Sequence, residues 1–470
     1  MFSKRGWWAV VPAVLWVACS SSGTPPPDGG PPSQDSGSSD GGPPDAGESA
    51  FDAGALTVRF LDGARQPVST LLYSLPFSIE VTGAPPGEPV QLQTSFYGYV
   101  GQATFVASAR GDVRTERDAP VDGGYAGIDS EGLIWSATLV GQPVGSSFDV
   151  QVTATATDAG ATATLVRPGM GTGFDITRVD AGPLPGVFFG RADAGPQPAL
   201  LVLGGSECNL QTTVFVAAWL TTMGYQTLAV DYCHGGFIRE VPLESLHAAL
   251  DALAARPSVD PQRLGVMGGS RGGELTLQLA ADEPRLRAAV AMVPSPYRWA
   301  DTQDGTDFAW TRGDAGLPRV PVANVGPSTE PLPGGLIGYR STPAFTASVE
   351  QASPAALSAA TIPVGSSNAS LLLIGAGDDG LWPSCRFTAD ALALLADAGH
   401  YATHPLDQRL CLEQAGHVIG PPGWSTQDGY SLSIGMNQAL VLGGTVAGRG
   451  RAGRAADSAM RAFLKAALGP

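Results

Sequence analysis

Histidine is scarce in this sequence: His234, His247, His400, His404 and His417 are all there are in 470 residues. Any chemistry that needs an imidazole base must use one of these five. Cysteine is equally rare, and none of the five stands in a C-x-x-C or similar metal-ligand spacing, which argues against a structural zinc site. No motif asks for a metal or a cofactor, and none is expected. Basic residues are also short, Lys+Arg 27 against Asp+Glu 43, for a net charge of -16 and a pI near 4.6. So acidic a surface repels phosphate backbones, and nucleic acid is not an expected partner. The 62 glycines and 39 prolines follow no collagen period, and 43% hydrophobic residues exclude a wholly disordered chain. At roughly 150 residues per domain the length allows two or three domains.

There is no long apolar stretch either. The run from Trp7 to Ala18, preceded by Lys4 and Arg5, is too short for a stable membrane span. Residues 1–19 read as an export signal, with Leu15-Trp16-Val17-Ala18-Cys19 resembling a bacterial lipobox whose cysteine would be lipidated. An ordinary signal peptide that happens to contain a cysteine is the alternative. Residues 20–54 are almost all Ser, Gly, Pro, Asp and Ala, with acids and no bases. Too little apolar surface is present to offset the ordering entropy, so a disordered tether is expected, about 35 residues reaching roughly 30 Å. The expected location is the cell envelope, with a lipid anchor in the membrane. Setting Cys19 aside leaves Cys208, Cys233, Cys385 and Cys411, an even number suited to an oxidising compartment.

Two folded parts follow. Over residues 55–177 short alternating runs such as Phe77-Ser78-Ile79-Glu80-Val81 are broken by Gly and Pro about every ten residues, without helical periodicity. This predicts an Ig-like antiparallel β-sandwich. Over 183–470 buried-strand runs alternate with helical patterns. That predicts an α/β domain, a mostly parallel sheet with helices on both faces.

Gly268-Gly269-Ser270-Arg271-Gly272 is a G-x-S-x-G match, and so is Gly37-Ser38-Ser39-Asp40-Gly41 in the tether. Context separates them. Ser270 lies between a strand, Leu264-Gly265-Val266-Met267, and a helix from Glu274 to Ala281, the setting of a nucleophile elbow. A serine needs a base, and the base needs an orienting carboxylate. His234 and His247 precede Ser270, and His400 and His404 flank the start of a strand. His417 alone follows a strand in a turn-rich loop, which makes it the base candidate. The carboxylate is Asp379 or, as an open alternative, Asp378, both after the strand Leu371-Leu372-Leu373-Ile374. The oxyanion donors should be the Arg271 N–H and one from Gly205 or Ser206, in the turn after Leu201-Val202-Leu203.

Over most of 75–470 the sequence resembles the family of acyl-CoA thioesterases and bile-acid-CoA:amino-acid N-acyltransferases. The resemblance rests on Gly127-Ile128-Asp129-Ser130-Glu131-Gly132-Leu133-Ile134-Trp135-Ser136, on Gly269-Ser270-Arg271-Gly272-Gly273-Glu274-Leu275, on Asp378-Asp379-Gly380-Leu381-Trp382-Pro383-Ser384 and on Ala415-Gly416-His417. It implies an α/β-hydrolase with Ser270, Asp379 and His417 as nucleophile, acid and base. The amino-acid-conjugating members generally use cysteine as nucleophile, so Ser270 implies hydrolysis of an acyl thioester rather than transfer. Ser206-Glu207-Cys208 departs from the family's glycine-rich oxyanion segment. An exported carboxylesterase acting on oxygen esters and an inactive hydrolase-like surface lipoprotein are the other functions compatible with the sequence. Neighbouring parallel strands would bring Cys208 to Cys233 and Cys385 to Cys411, the expected disulfides.

Overall fold

The computed structural model describes residues 55–141, 148–191, 195–233, 236–435 and 437–469. The proposed signal and tether, Cys19 and His234 lie outside these. The N-terminal part is a sandwich of a four-stranded and a six-stranded antiparallel sheet. Its strands show why: Pro89–Phe96 and Val150–Ala156 alternate buried and exposed residues, placing Val90, Leu92, Val152 and Ala154 in one core with Ile79 and Phe105. A single helical turn, Gly132–Trp135, interrupts the strands in a segment without helical periodicity.

The second part is built on one eight-stranded sheet. Its strands are β1 (Asp175–Ala181), β2 (Leu184–Gly190), β3 (Gln197–Leu203), β4 (Gln226–Val230), β5 (Val259–Gly269), β6 (Leu286–Met292), β7 (Ser370–Ala376) and β8 (Gln408–Leu412). They lie side by side as β1-β2-β4-β3-β5-β6-β7-β8, with β3 to β8 parallel and β1 and β2 forming an antiparallel edge. The central strands are buried on both faces, which is why they read as continuous apolar runs. Leu201 and Leu203 face one core, covered by helices that include α2 (Leu243–Ala254), α3 (Arg271–Asp282) and α4 (Ser384–Asp397). Leu200 and Val202 face the other, covered by α1 (Leu210–Thr221) and α5 (Val446–Leu468).

One boundary is corrected. The sandwich was expected to run to Thr177 and the second domain to start at Pro183, but the last sandwich strand ends at Leu165 and β1 belongs to the large sheet. β1 is an edge strand with mostly exposed side chains, so its polar pattern is indistinguishable from that of a sandwich strand. Between β6 and β7 the chain also inserts a hairpin, Ser328–Leu332 with Leu336–Arg340. This hairpin joins Gln438–Val441 in a small separate sheet.

Candidate active site

Ser270, Asp379, His417 and the Gly205-Ser206 turn each follow the C-terminal end of a parallel strand, the edge where open α/β sheets bind ligands. Ser270 lies between β5 and α3, as the residue that precedes the helix. Its backbone is held at φ 56°, ψ -122°, a conformation that side chains other than glycine rarely adopt. Two glycines make so sharp a turn possible. A Cβ on Gly268 would lie 2.3 Å from the Gly272 carbonyl oxygen, and one on Gly272 would lie 2.2 Å from that of Gly204. The strained turn lifts the hydroxyl above the sheet and leaves it at the N-terminus of α3.

His417 is 5% exposed and its Nε2 lies 2.8 Å from the Ser270 Oγ. Its Nδ1 is 2.9 Å from each oxygen of Asp379, whose side chain is almost wholly buried. A carboxylate only accepts, so Nδ1–H donates to Asp379 and Nε2 is left to accept from the serine hydroxyl. The backbone N–H groups of Leu381 and Trp382 also donate to Asp379 Oδ1, at 2.9 and 3.2 Å. The loop thereby fixes the carboxylate before the imidazole adds to it. The Trp382 ring stands edge-on to His417, 5.6 Å between centroids, and its indole N–H donates to the Val293 carbonyl at 3.0 Å. Such an arrangement can deprotonate a hydroxyl as it attacks an acyl carbonyl.

The structure parts the two candidate acids. Asp378 turns to Arg340, 2.8 Å away, and accepts from the Gly444 N–H at 2.8 Å, so it does not meet His417. Among the remaining described histidines, His247 pairs with Glu283 from α2, and His400 is buried between Asp407 and the Ser367 carbonyl. His404 stacks on His400, 4.0 Å between ring centroids.

The oxyanion side needs one correction. Arg271 is the first residue of α3, where no preceding turn supplies an acceptor for its N–H. Gly205 was expected as an alternative second donor, but its N–H donates to Glu207 Oε1 at 3.0 Å. The carboxylate two residues on folds back and takes it. The Ser206 N–H has no protein partner among the described residues. Beneath the turn, the buried Tyr232 hydroxyl donates to Gly204 O, 2.5 Å away.

Several residues around the site carry no motif in the sequence. The Arg271 guanidinium is buried with Glu274 at 3.4 Å, and Glu274 Oε1 accepts from the Trp310 indole N–H at 2.6 Å and the Trp299 N–H at 3.2 Å. Burial holds the Glu274 carboxyl above its ordinary range, against the pull of Arg271. Arg340 and Thr342, from the inserted segment, clamp the acid loop: the Thr342 hydroxyl donates to the Asp379 carbonyl at 2.6 Å. An open depression of about 520 Å³ lies beside them, lined also by Thr346, Glu350 and Gly377. Cys208 and Cys233 lie at bridging range, Cα atoms 5.6 Å apart, as do Cys385 and Cys411 at 5.3 Å.

An α/β-hydrolase fold that brings serine, histidine and aspartate together at its sheet edge defines the class. The chain belongs to the acyl-CoA thioester hydrolase and N-acyltransferase family: "BAAT / Acyl-CoA thioester hydrolase C terminal" matches residues 241–470, and "Acyl-CoA thioester hydrolase/BAAT N-terminal region" matches 74–165. Human acyl-coenzyme A thioesterase 6 is 25% identical over 407 residues, 81% of this chain and 90% of that one. Mouse bile acid-CoA:amino acid N-acyltransferase is 26% identical over 251 residues, 48% of this chain and 59% of that one. Among solved structures, an esterase from the archaeon Pyrobaculum calidifontis covers 63% of this chain and 84% of its own, with 15% identity and a TM-score of 0.37.

Proposed function

We propose that this chain is a serine hydrolase of acyl thioesters. His417 takes the proton of Ser270 as Oγ attacks the acyl carbonyl carbon, and the charge that develops on the carbonyl oxygen is met by the Arg271 and Ser206 N–H groups. Collapse expels the thiol, protonated by His417, and leaves an acyl-serine. Water then attacks with His417 again as base, releasing the acid and restoring Ser270. Asp379 holds the imidazole in the tautomer that both steps need. The observation that carries this reading is the unbroken Ser270–His417–Asp379 chain of hydrogen bonds. Relatives named acyl-coenzyme A thioesterases over 81% of the chain support the thioester as substrate.

A second reading, hydrolysis of oxygen esters, is favoured by charge. CoA carries several phosphates, and this chain has two lysines, Lys4 and Lys465, and a net charge of -16. Steady-state rates on acyl-CoA and p-nitrophenyl esters matched in acyl length decide between the two. Export and lipidation at Cys19 complete the proposal and rest on the sequence.

A further inference from the structure

Glu207 lies in the turn between β3 and α1 and folds back over it. Both protein hydrogen bonds of its carboxylate go to one oxygen: Oε1 accepts from the Gly205 N–H and from the Thr212 hydroxyl, each at 3.0 Å. Oε2 has no protein partner among the described residues. A Cβ placed on Gly205 would meet Oε2 at 2.8 Å and the Ser270 Cβ at 3.4 Å. The free carboxylate oxygen and the serine side chain therefore border the same point of the site. Glu207 is half-buried, neither sealed off from a ligand nor free to swing in bulk water.

Among the described residues no cation pairs with this charge. Arg271, next to Ser270, is committed to Glu274 and to the Trp299 carbonyl and lies over the Trp310 ring. Lys465 sits in the last turn of α5, and Lys4 is outside the described residues. The local field is visible at Tyr232: burial holds its phenol well above the ordinary value, and Glu207, Glu274 and Asp231 push the same way against Arg271.

We propose that Glu207 is the charge-selecting residue of this site, and that it favours acyl groups bearing an ammonium or other cationic centre near the carbonyl over neutral and anionic ones. The proposal rests on the reading of Ser270 as nucleophile. A fixed carboxylate beside the serine opposes the negative charge that grows on the substrate during attack. A cationic acyl group cancels that opposition and supplies the partner that Oε2 lacks. An anionic acyl group doubles it. Two bonds already hold the carboxylate, so the selection costs little reorganisation.

The test uses the full chain and three p-nitrophenyl esters of equal acyl length. Their acyl groups end in trimethylammonium, in its neutral tert-butyl counterpart, or in carboxylate, and each rate is corrected for the ester's own hydroxide hydrolysis. For charges a few ångströms apart at a partly solvated site, the wild type should prefer cationic over neutral by about tenfold in kcat/KM. Glu207→Gln, whose amide oxygen can keep the Gly205 and Thr212 bonds, should bring the ratio near one. Glu207→Asp should retain part of it. A merely structural role would lower all three rates together and leave their ratio unchanged. A flat ratio in the wild type, or one that survives Glu207→Gln, overturns the proposal. Fluorophosphonate labelling of Ser270 in the same preparations separates the two failures. No labelling of the wild type means the nucleophile reading fails, whereas labelling with a flat ratio removes only the role of Glu207.

Discussion

The carboxylates of Asp378 and Asp379 leave one turn for different partners: Asp379 meets His417 at 2.9 Å while Asp378 meets Arg340 at 2.8 Å. Asp379 is shielded from water and Asp378 is partly exposed, with side-chain exposures of 1% and 44%. Asp379→Asn should therefore cost about 10⁴-fold in kcat by misorienting His417. Asp378→Asn should cost only a few-fold, through a looser loop. Steady-state kinetics of the two variants check this, and a larger loss at Asp378 would reverse the assignment.

Ser270→Ala should abolish labelling by a fluorophosphonate probe, because the covalent step loses its nucleophile. It should leave the melting temperature unchanged or slightly raised, since a strained residue loses only its hydroxyl. Labelling that persists in the variant would place the nucleophile elsewhere.

Non-reducing peptide mapping should recover Cys208–Cys233 and Cys385–Cys411, separated by 25 and 26 residues along the chain. Loops of that size make each bridge worth about 3 kcal/mol, so reduction should lower the melting temperature by several degrees. Free thiols at all four positions would contradict the pairing and weaken the case for an oxidising compartment.

Cys19→Ser should move the protein from the membrane fraction to the soluble one and remove the lipid from its mature N-terminus. Mass spectrometry of that N-terminus distinguishes lipidation from plain secretion.

Burial raises the Glu131 carboxyl from 4.5 to about 7, despite Arg167 and Arg454 nearby. A carboxyl whose folded pKa is raised binds its proton more tightly when folded. Stability is therefore undiminished below the unfolded value and falls as pH rises from about 4.5 to about 7, by at most roughly 3 kcal/mol. Glu131→Gln should flatten that fall, with a higher melting temperature than wild type at pH 8 and little difference at pH 4.5. Equal shifts at both pH values would mean that the residue acts through packing alone.

Much of the fold is legible because buried strands advertise themselves. β3 and β7 are apolar after their first residues, Gln197 and Ser370, since both of their faces are covered, and sandwich strands such as Pro89–Phe96 alternate since only one is. The edge strand β1 carries neither signature, so the domain boundary is not legible there. The meeting of Ser270, His417 and Asp379 is legible from their positions after strands, and five histidines leave few choices. Glu207, Arg340 and Thr342 left no such trace. Their parts depend on a side chain folding back across two residues, and on an inserted hairpin whose partner, Gln438–Val441, lies about a hundred residues further on. Contacts of that kind have no period in the sequence.

The seam between the two domains reaches the acid loop through few residues. Gly450 of α5 lies under Trp135, where a Cβ would come within 2.6 Å of the indole, and Thr426 N–H donates to the Trp135 carbonyl at 3.0 Å. Arg449, one residue before that glycine, donates to the Thr426 and Gly443 carbonyls, at 2.7 and 3.0 Å, while the Gly444 N–H holds Asp378. Docking and catalysis thus share a latch. Undocking the sandwich would unfasten the segment behind Asp379 while both halves kept their own cores, so turnover should fail at a lower denaturant concentration than circular dichroism reports.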